Sequence, residues 1–132
     1  MAAHSPPDPR IMFFVERYVT TLDDVECLLL LIQTPERWWD AESIARELHV
    51  QVGYARHALE RFAAGNLLAI RITGEVRYQY QPGDDALAAA ADAFVEAARM
   101  NRLEMIKLVT ERASRNMRDF ANAFRIRRDH DS

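Results

Sequence analysis

Gln51, Tyr54, Arg56, His57 and Arg61 are the side chains of this sequence best suited to contact a partner, and they fall within eleven consecutive positions. An arginine can donate two hydrogen bonds to a guanine edge, a glutamine can pair with adenine, and a tyrosine can reach a phosphate. Arg71 and Arg77 stand three residues to either side of Gly74, where they can meet a nucleic-acid backbone or a minor groove. The chemistry that is missing narrows the reading further. His4, His49, His57 and His130 are scattered with no i, i+4 pair, and the single cysteine, Cys27, excludes an internal disulfide and any multi-cysteine zinc site. No Ser-His-Asp spacing and no Gly-rich phosphate loop stands out. The adjacent acids Asp23-Asp24 and Asp84-Asp85 read as helix starts, not as catalytic pairs. The expectation is a binding protein with no cofactor and no metal, and not an enzyme.

The elements that must position these residues are legible from periodicity. Residues 41–48 place Ile44, Ala45 and Leu48 on one helical face. His49-Val50-Gln51 forms a short link. Residues 52–64 repeat the helical spacing with Val52, Ala55, Leu59 and Phe62, which leaves Gln51, Tyr54, Arg56, His57, Glu60 and Arg61 off the core side. Gly65-Asn66 stops that helix, because both residues tolerate the left-handed conformation. The period then changes to two. Ile70 and Ile72 alternate with Arg71 and Thr73, and Val76, Tyr78 and Tyr80 alternate with Arg77 and Gln79, with Thr73-Gly74-Glu75 as the turn. Helix, turn, helix and hairpin in this order is the winged helix–turn–helix. The fold class expected is mainly α with a small antiparallel β hairpin, a winged helix–turn–helix domain plus flanking C-terminal helices.

The run from Trp38 to Tyr80 resembles the winged-helix domains of bacterial transcription regulators of the broad MarR-like kind. Their pattern has an A-x-x-x-A-x-x-L helix, then a helix ending L-x-x-L-x-x-x-G-L-L, then a wing. Here the second helix ends LERFAAGNLL, residues 59–68, with Phe62 in place of the second Leu and Asn66 inserted after Gly65. The stretch FANAFRIRRD, residues 120–129, is similar to the ends of small bacterial winged-helix proteins. The resemblance covers about a third of the chain. It implies a regulator that inserts the 52–64 helix into a major groove of double-stranded DNA. Fold does not fix function, and some winged helices bind proteins instead. The alternative is a protein–protein interaction module in bacterial signalling or transcription that does not bind DNA.

Charge bears on that choice. Seventeen Lys and Arg face twenty Asp and Glu, a net charge of −3. Residues 1–83 carry eight Arg against eleven acids, whereas Arg112 to Arg128 hold six Arg and one Asp. The reading head is therefore not basic overall, while the C-terminal tail is, and a DNA binder usually shows a clustered basic face. The N-terminal MAAHSPPDPR lacks the apolar segment of a signal peptide, and no apolar run is long enough for a membrane span. With one cysteine, these features imply a cytoplasmic protein without membrane contact.

Outside the reading head, residues 1–10 read as a disordered arm, 11–82 as the winged-helix domain, and 83–132 as a helical extension for packing and dimerisation. Ile11 to Val19 is read as a helix. Thr21 should cap a helix from Leu22 to about Gln33 that is apolar almost all round and so needs cover on several sides. Asp84 or Asp85 should cap the next, with Leu87, Ala91, Phe94, Val95 and Ala98 on one face and a break at Asn101-Arg102. These helices either fold back over the Leu22 helix or join a second copy, and a homodimer is the expectation. Trp38 and Trp39 are read first as core. If one is exposed it becomes an anchor for a partner, with Trp39 the candidate. In the tail, Phe120 and Phe124 lie one turn apart and are expected to pack on the body. That leaves Arg118, Arg125, Arg127 and Arg128 for an acidic partner or a DNA backbone.

Overall fold

The computed structural model describes residues 8–112, 114 and 115. The order is α1 (Pro9–Tyr18), α2 (Leu22–Gln33), α3 (Ala41–Leu48), α4 (Val52–Ala64), β1 (Leu68–Thr73), β2 (Glu75–Tyr80) and α5 (Asp85–Met100). A further helix, α6, covers residues 102–112. Among the described residues this is the expected class, helical with one two-stranded antiparallel hairpin.

Local sequence explains each boundary. Pro9 suits the first turn of α1, where its missing N–H costs nothing, and the Asp8 carboxylate accepts from Arg10 N at 2.8 Å. Pro9 and Arg10 therefore belong to a helix and not to the arm read from sequence, and residues 1–7 lie outside the described residues. Thr21 and Asp24 form a reciprocal capping box on α2. Asp40 caps α3 through Ser43 N at 2.7 Å, and His49 ends it at φ 57°, ψ 46°. Asp84 caps α5 through Leu87 N at 2.7 Å, and α5 ends at Asn101, where the break was expected.

The stop of α4 works differently from the sequence expectation. Gly65 has an ordinary φ of −81°, and Asn66 alone takes the left-handed turn at φ 72°. Gly65 is required by a close approach. A Cβ there would lie 2.6 Å from Cε1 of Tyr18, whose hydroxyl donates to the Gly65 carbonyl at 2.5 Å.

The hairpin pairs Leu68 with Tyr80, Ile70 with Tyr78 and Ile72 with Val76 on one face, and Arg71 with Arg77 on the other. Gly74, at φ 89°, supplies the turn. Trp39 adds a one-residue third strand. Its N–H donates to the Tyr78 carbonyl, and Tyr78 N–H donates back, both at 2.7 Å. This bridge fixes the wing to the strand entering α3.

The core joins all these elements. Phe62, Leu59, Ala58 and Ala55 of α4 meet Ile44 of α3 and Leu28 and Leu31 of α2 in one buried cluster. Val52, read from spacing as core, is 39% exposed, and Ala58, which that spacing left out, is fully buried. The flanking helices fold back, as one of the two expected arrangements has it. Their main seat is α1, where the Phe14 and Phe94 rings meet at a 34° tilt with centroids 4.7 Å apart, with a smaller contact to α2. Met105 and Val109 of α6 are buried in the same core. Arg112 of α6 then donates to the carbonyls of Val15, Glu16 and Val19, which end α1. A cation on the last carbonyls of a helix is favourable both as hydrogen bonds and against the helix dipole. No described helix is long and apolar enough to cross a membrane.

Candidate functional site

The candidate contact surface is built from α3, α4 and the hairpin. α4 carries the largest share of it, so what orients α4 matters most. Its inner face is apolar, but its position about its own axis is set by one buried acid. Asp24, in the first turn of α2, is 0% exposed. Its Oδ2 accepts from Thr20 N at 2.8 Å, Thr20 Oγ1 at 2.7 Å and Thr21 N at 3.2 Å. Its Oδ1 accepts from the Tyr54 hydroxyl at 2.5 Å and from Arg61 Nη2 at 2.9 Å. One carboxylate thus holds the α1–α2 corner and both ends of α4.

The ionisation states follow from this geometry. Burial works to raise the Asp24 carboxyl, but hydrogen bonds from Tyr54 and Thr20, with the charge of Arg61, outweigh it and hold the group below its ordinary value of 3.8. Tyr54 is pushed far up, first by burial and then by its bond to Asp24. Cys27, one turn along α2, is pushed up to about 12 by burial and by the Asp24 charge, so it stays a neutral thiol.

The residues singled out from sequence therefore divide. Tyr54 is half-buried and committed to Asp24. Arg61 is committed there too, with a weaker contact to Thr20 Oγ1 at 3.5 Å. Gln51, Arg56 and His57 are exposed. Among the described residues, Arg56 makes no ion pair. Gln51 is the N-cap of α4 yet makes no side-chain capping bond, which leaves the first N–H groups of that helix open to a ligand or to water. An open groove of about 840 Å³ runs over this end of α4, lined by Arg46, His49, Gln51 and Arg56 and also by Asp23 and Glu42.

On the wing, Arg71 stacks over the Trp38 ring at 4.4 Å, and Arg77 pairs with Glu75 at 3.4 Å. Both arginines stay exposed. Trp39 is 1% exposed, with its indole N–H donated to Thr34 Oγ1 at 3.0 Å and Arg37 over its ring. It is a core residue, and the half-exposed member of the pair is Trp38. Arg118, Arg125, Arg127 and Arg128 lie outside the described residues. Between α4 and the wing is a second cleft, of about 270 Å³, lined by Arg56 and by the acids Asp40, Glu42, Glu60 and Glu75. Among the described residues, no group of three or more His, Cys, Asp or Glu side chains could hold a metal ion.

Sequence reasoning treated Asp24 as a helix start and missed its link to α4. A signal was available. Asp24 falls at the head of the buried stripe continued by Cys27, Leu28 and Leu31, and an acid on an apolar stripe must find donors.

No protein-family model matches this chain, and no curated protein matches it. Two solved structures are similar to it. The crystal structure of the heme sensor protein PefR in complex with heme and carbon monoxide is 14% identical, with a TM-score of 0.48 over 85% of this chain and 80% of that one. The crystal structure of apo (heme-free) PefR is 17% identical, with a TM-score of 0.46 over 84% of this chain and 86% of that one.

Proposed function

We propose that this protein is a winged-helix transcriptional regulator that lays the first two turns of α4 in the major groove of double-stranded DNA, with the wing arginines on the backbone. The observation that carries this reading is the exposed start of α4. Gln51, Arg56 and His57 are presented to solvent on a helix whose orientation is fixed from behind by Asp24. A helix held rigidly from its inner side, with free donors outward, is what base-edge recognition requires. Arg71 and Arg77 stand on the adjoining hairpin, and their internal partners, half-exposed Trp38 and exposed Glu75, are contacts that a phosphate can replace at small cost. Phe13, Met100, Leu103 and Ile106 remain exposed on α1, α5 and α6, and they support a homodimer joined through that side.

The test is a titration of the protein against labelled duplex fragments of its own genome at several salt concentrations. Affinity should fall linearly in log–log form with salt, because arginine–phosphate contacts release counterions. The absence of a complex at low salt would overturn the reading.

A second reading has its own observation. The four acids that line the cleft between α4 and the wing with Arg56 repel phosphate. They favour a winged helix that docks on a protein. A complex with duplex DNA insensitive to salt, or none at all, would bring this reading forward.

A further inference from the structure

The hairpin carries an apolar face that nothing described covers. Ile70, Ile72 and Val76 are 52%, 72% and 43% exposed. They share the face of Tyr78, because Ile70 pairs with Tyr78 and Ile72 with Val76. Tyr78 is buried at the base of that face, and Val76 and Tyr78 line the cleft against α4. Three β-branched side chains on an open strand pair are a poor surface to leave in water. The cleft beside them is strongly acidic. Its occupant should therefore be a segment with large apolar side chains and several cations.

This chain contains such a segment. Between positions 118 and 128 it carries Phe120, Phe124 and Ile126 together with Arg118, Arg125, Arg127 and Arg128, against one acid, Asp119. Its point of departure is also favourable. Arg112, near the end of α6, is bound to the carbonyls that close α1, including that of Val19. The next residue, Thr20, touches Arg61 in the last turns of α4 at 3.5 Å. The end of α6 is thus tied, through the Arg112 guanidinium, to the α1–α2 corner that Arg61 of α4 also touches. From Arg115, the last described residue, Phe120 and Phe124 stand five and nine residues on, which span up to roughly 17 and 30 Å when extended, and α4 itself is about 20 Å long at thirteen residues.

We infer that the cleft between α4 and the wing is the docking site of this chain's own C-terminal segment, residues 118–128, with Phe120 and Phe124 on Ile70, Ile72 and Val76 and the arginines on Glu60 and Glu75. The inference goes beyond the reading of α4 as a DNA-contacting helix and does not depend on it. A partner that approaches Arg56 from the wing side meets the docked segment, so the segment competes with that partner.

The test uses the full chain. Asn122→Cys places one added thiol in the segment between Phe120 and Phe124, and Cys27 is fully buried. A nitroxide attached there should selectively broaden backbone amide signals of residues 70–80 and of Arg56 to Glu60, relative to the reduced label. The double substitution Glu60→Lys, Glu75→Lys should abolish the broadening, and so should Phe120→Ser with Phe124→Ser in the tail, which leaves the body untouched. Broadening that is absent, or that falls on α1 and α5 instead, overturns the inference. So does broadening that appears when labelled, isotope-free protein is mixed with unlabelled, isotope-enriched protein, since the occupant is then the tail of a second copy.

Discussion

Arg56 and Arg61 sit five residues apart on the same helix, and from sequence they are equivalent candidates for recognition. The structure gives them opposite tasks. Arg61 turns inward at its tip and ends on a buried carboxylate, while Arg56 stands in the open between two grooves. Gln51 and Tyr54 divide in the same way, the first exposed and the second bound to Asp24. What separates them is the element lying behind α4. Where α2 presents an acid, the donors of α4 are drawn in and become part of the scaffold. Where α2 has passed by, the donors stay exposed.

Removing the acid should break this division most severely. Asp24→Ala leaves Tyr54, Thr20 and two backbone N–H groups without their acceptor and is expected to cost about 3–5 kcal/mol. A urea melt reads this directly. Gly65→Ala should cost roughly 1–3 kcal/mol, because a Cβ at 2.6 Å from the Tyr18 ring forces the α1–α4 contact apart. The pH dependence sharpens the same comparison. The folded-state pKa of Asp24 lies below its ordinary value of 3.8, so its contribution is complete above that value. It is lost as pH falls from there through the depressed folded pKa. Urea midpoints of the unmodified protein should therefore drop on acidification below about pH 4, and Asp24→Asn should remove that part of the drop. The smallest effects on stability belong to the arginines. Arg61→Ala should cost about 1 kcal/mol, since its guanidinium is half in water. Arg56→Ala should leave the melt within about 0.5 kcal/mol of the unmodified protein.

Most of the fold could be read from the chain because its signals are local. Thr21, Asp40 and Asp84 cap where short polar residues precede apolar-periodic runs, and the change of period after Asn66 marks the hairpin. The candidate site was less legible because its organisation is not local. Asp24 meets Tyr54 and Arg61 across 30 and 37 residues, and no periodicity within α4 could tell which of its polar side chains would be claimed. Gly65 is a similar case. Its type looked like a left-handed cap, but the reason is a ring arriving from Tyr18, 47 residues away. The burial of Trp39 instead of Trp38 also depends on a distant partner, the backbone of Tyr78.

The division within α4 is tested most directly by measuring DNA affinity and thermal stability together for Arg56→Ala and Arg61→Ala, using a duplex fragment that the unmodified protein binds. Arg56→Ala should weaken binding by about 1–3 kcal/mol while its melting curve superimposes on that of the unmodified protein. Arg61→Ala should lower the melting temperature, with any loss of affinity accompanying that destabilisation. Undiminished affinity in Arg56→Ala, or a loss of affinity in Arg61→Ala with an unshifted melt, would contradict the account.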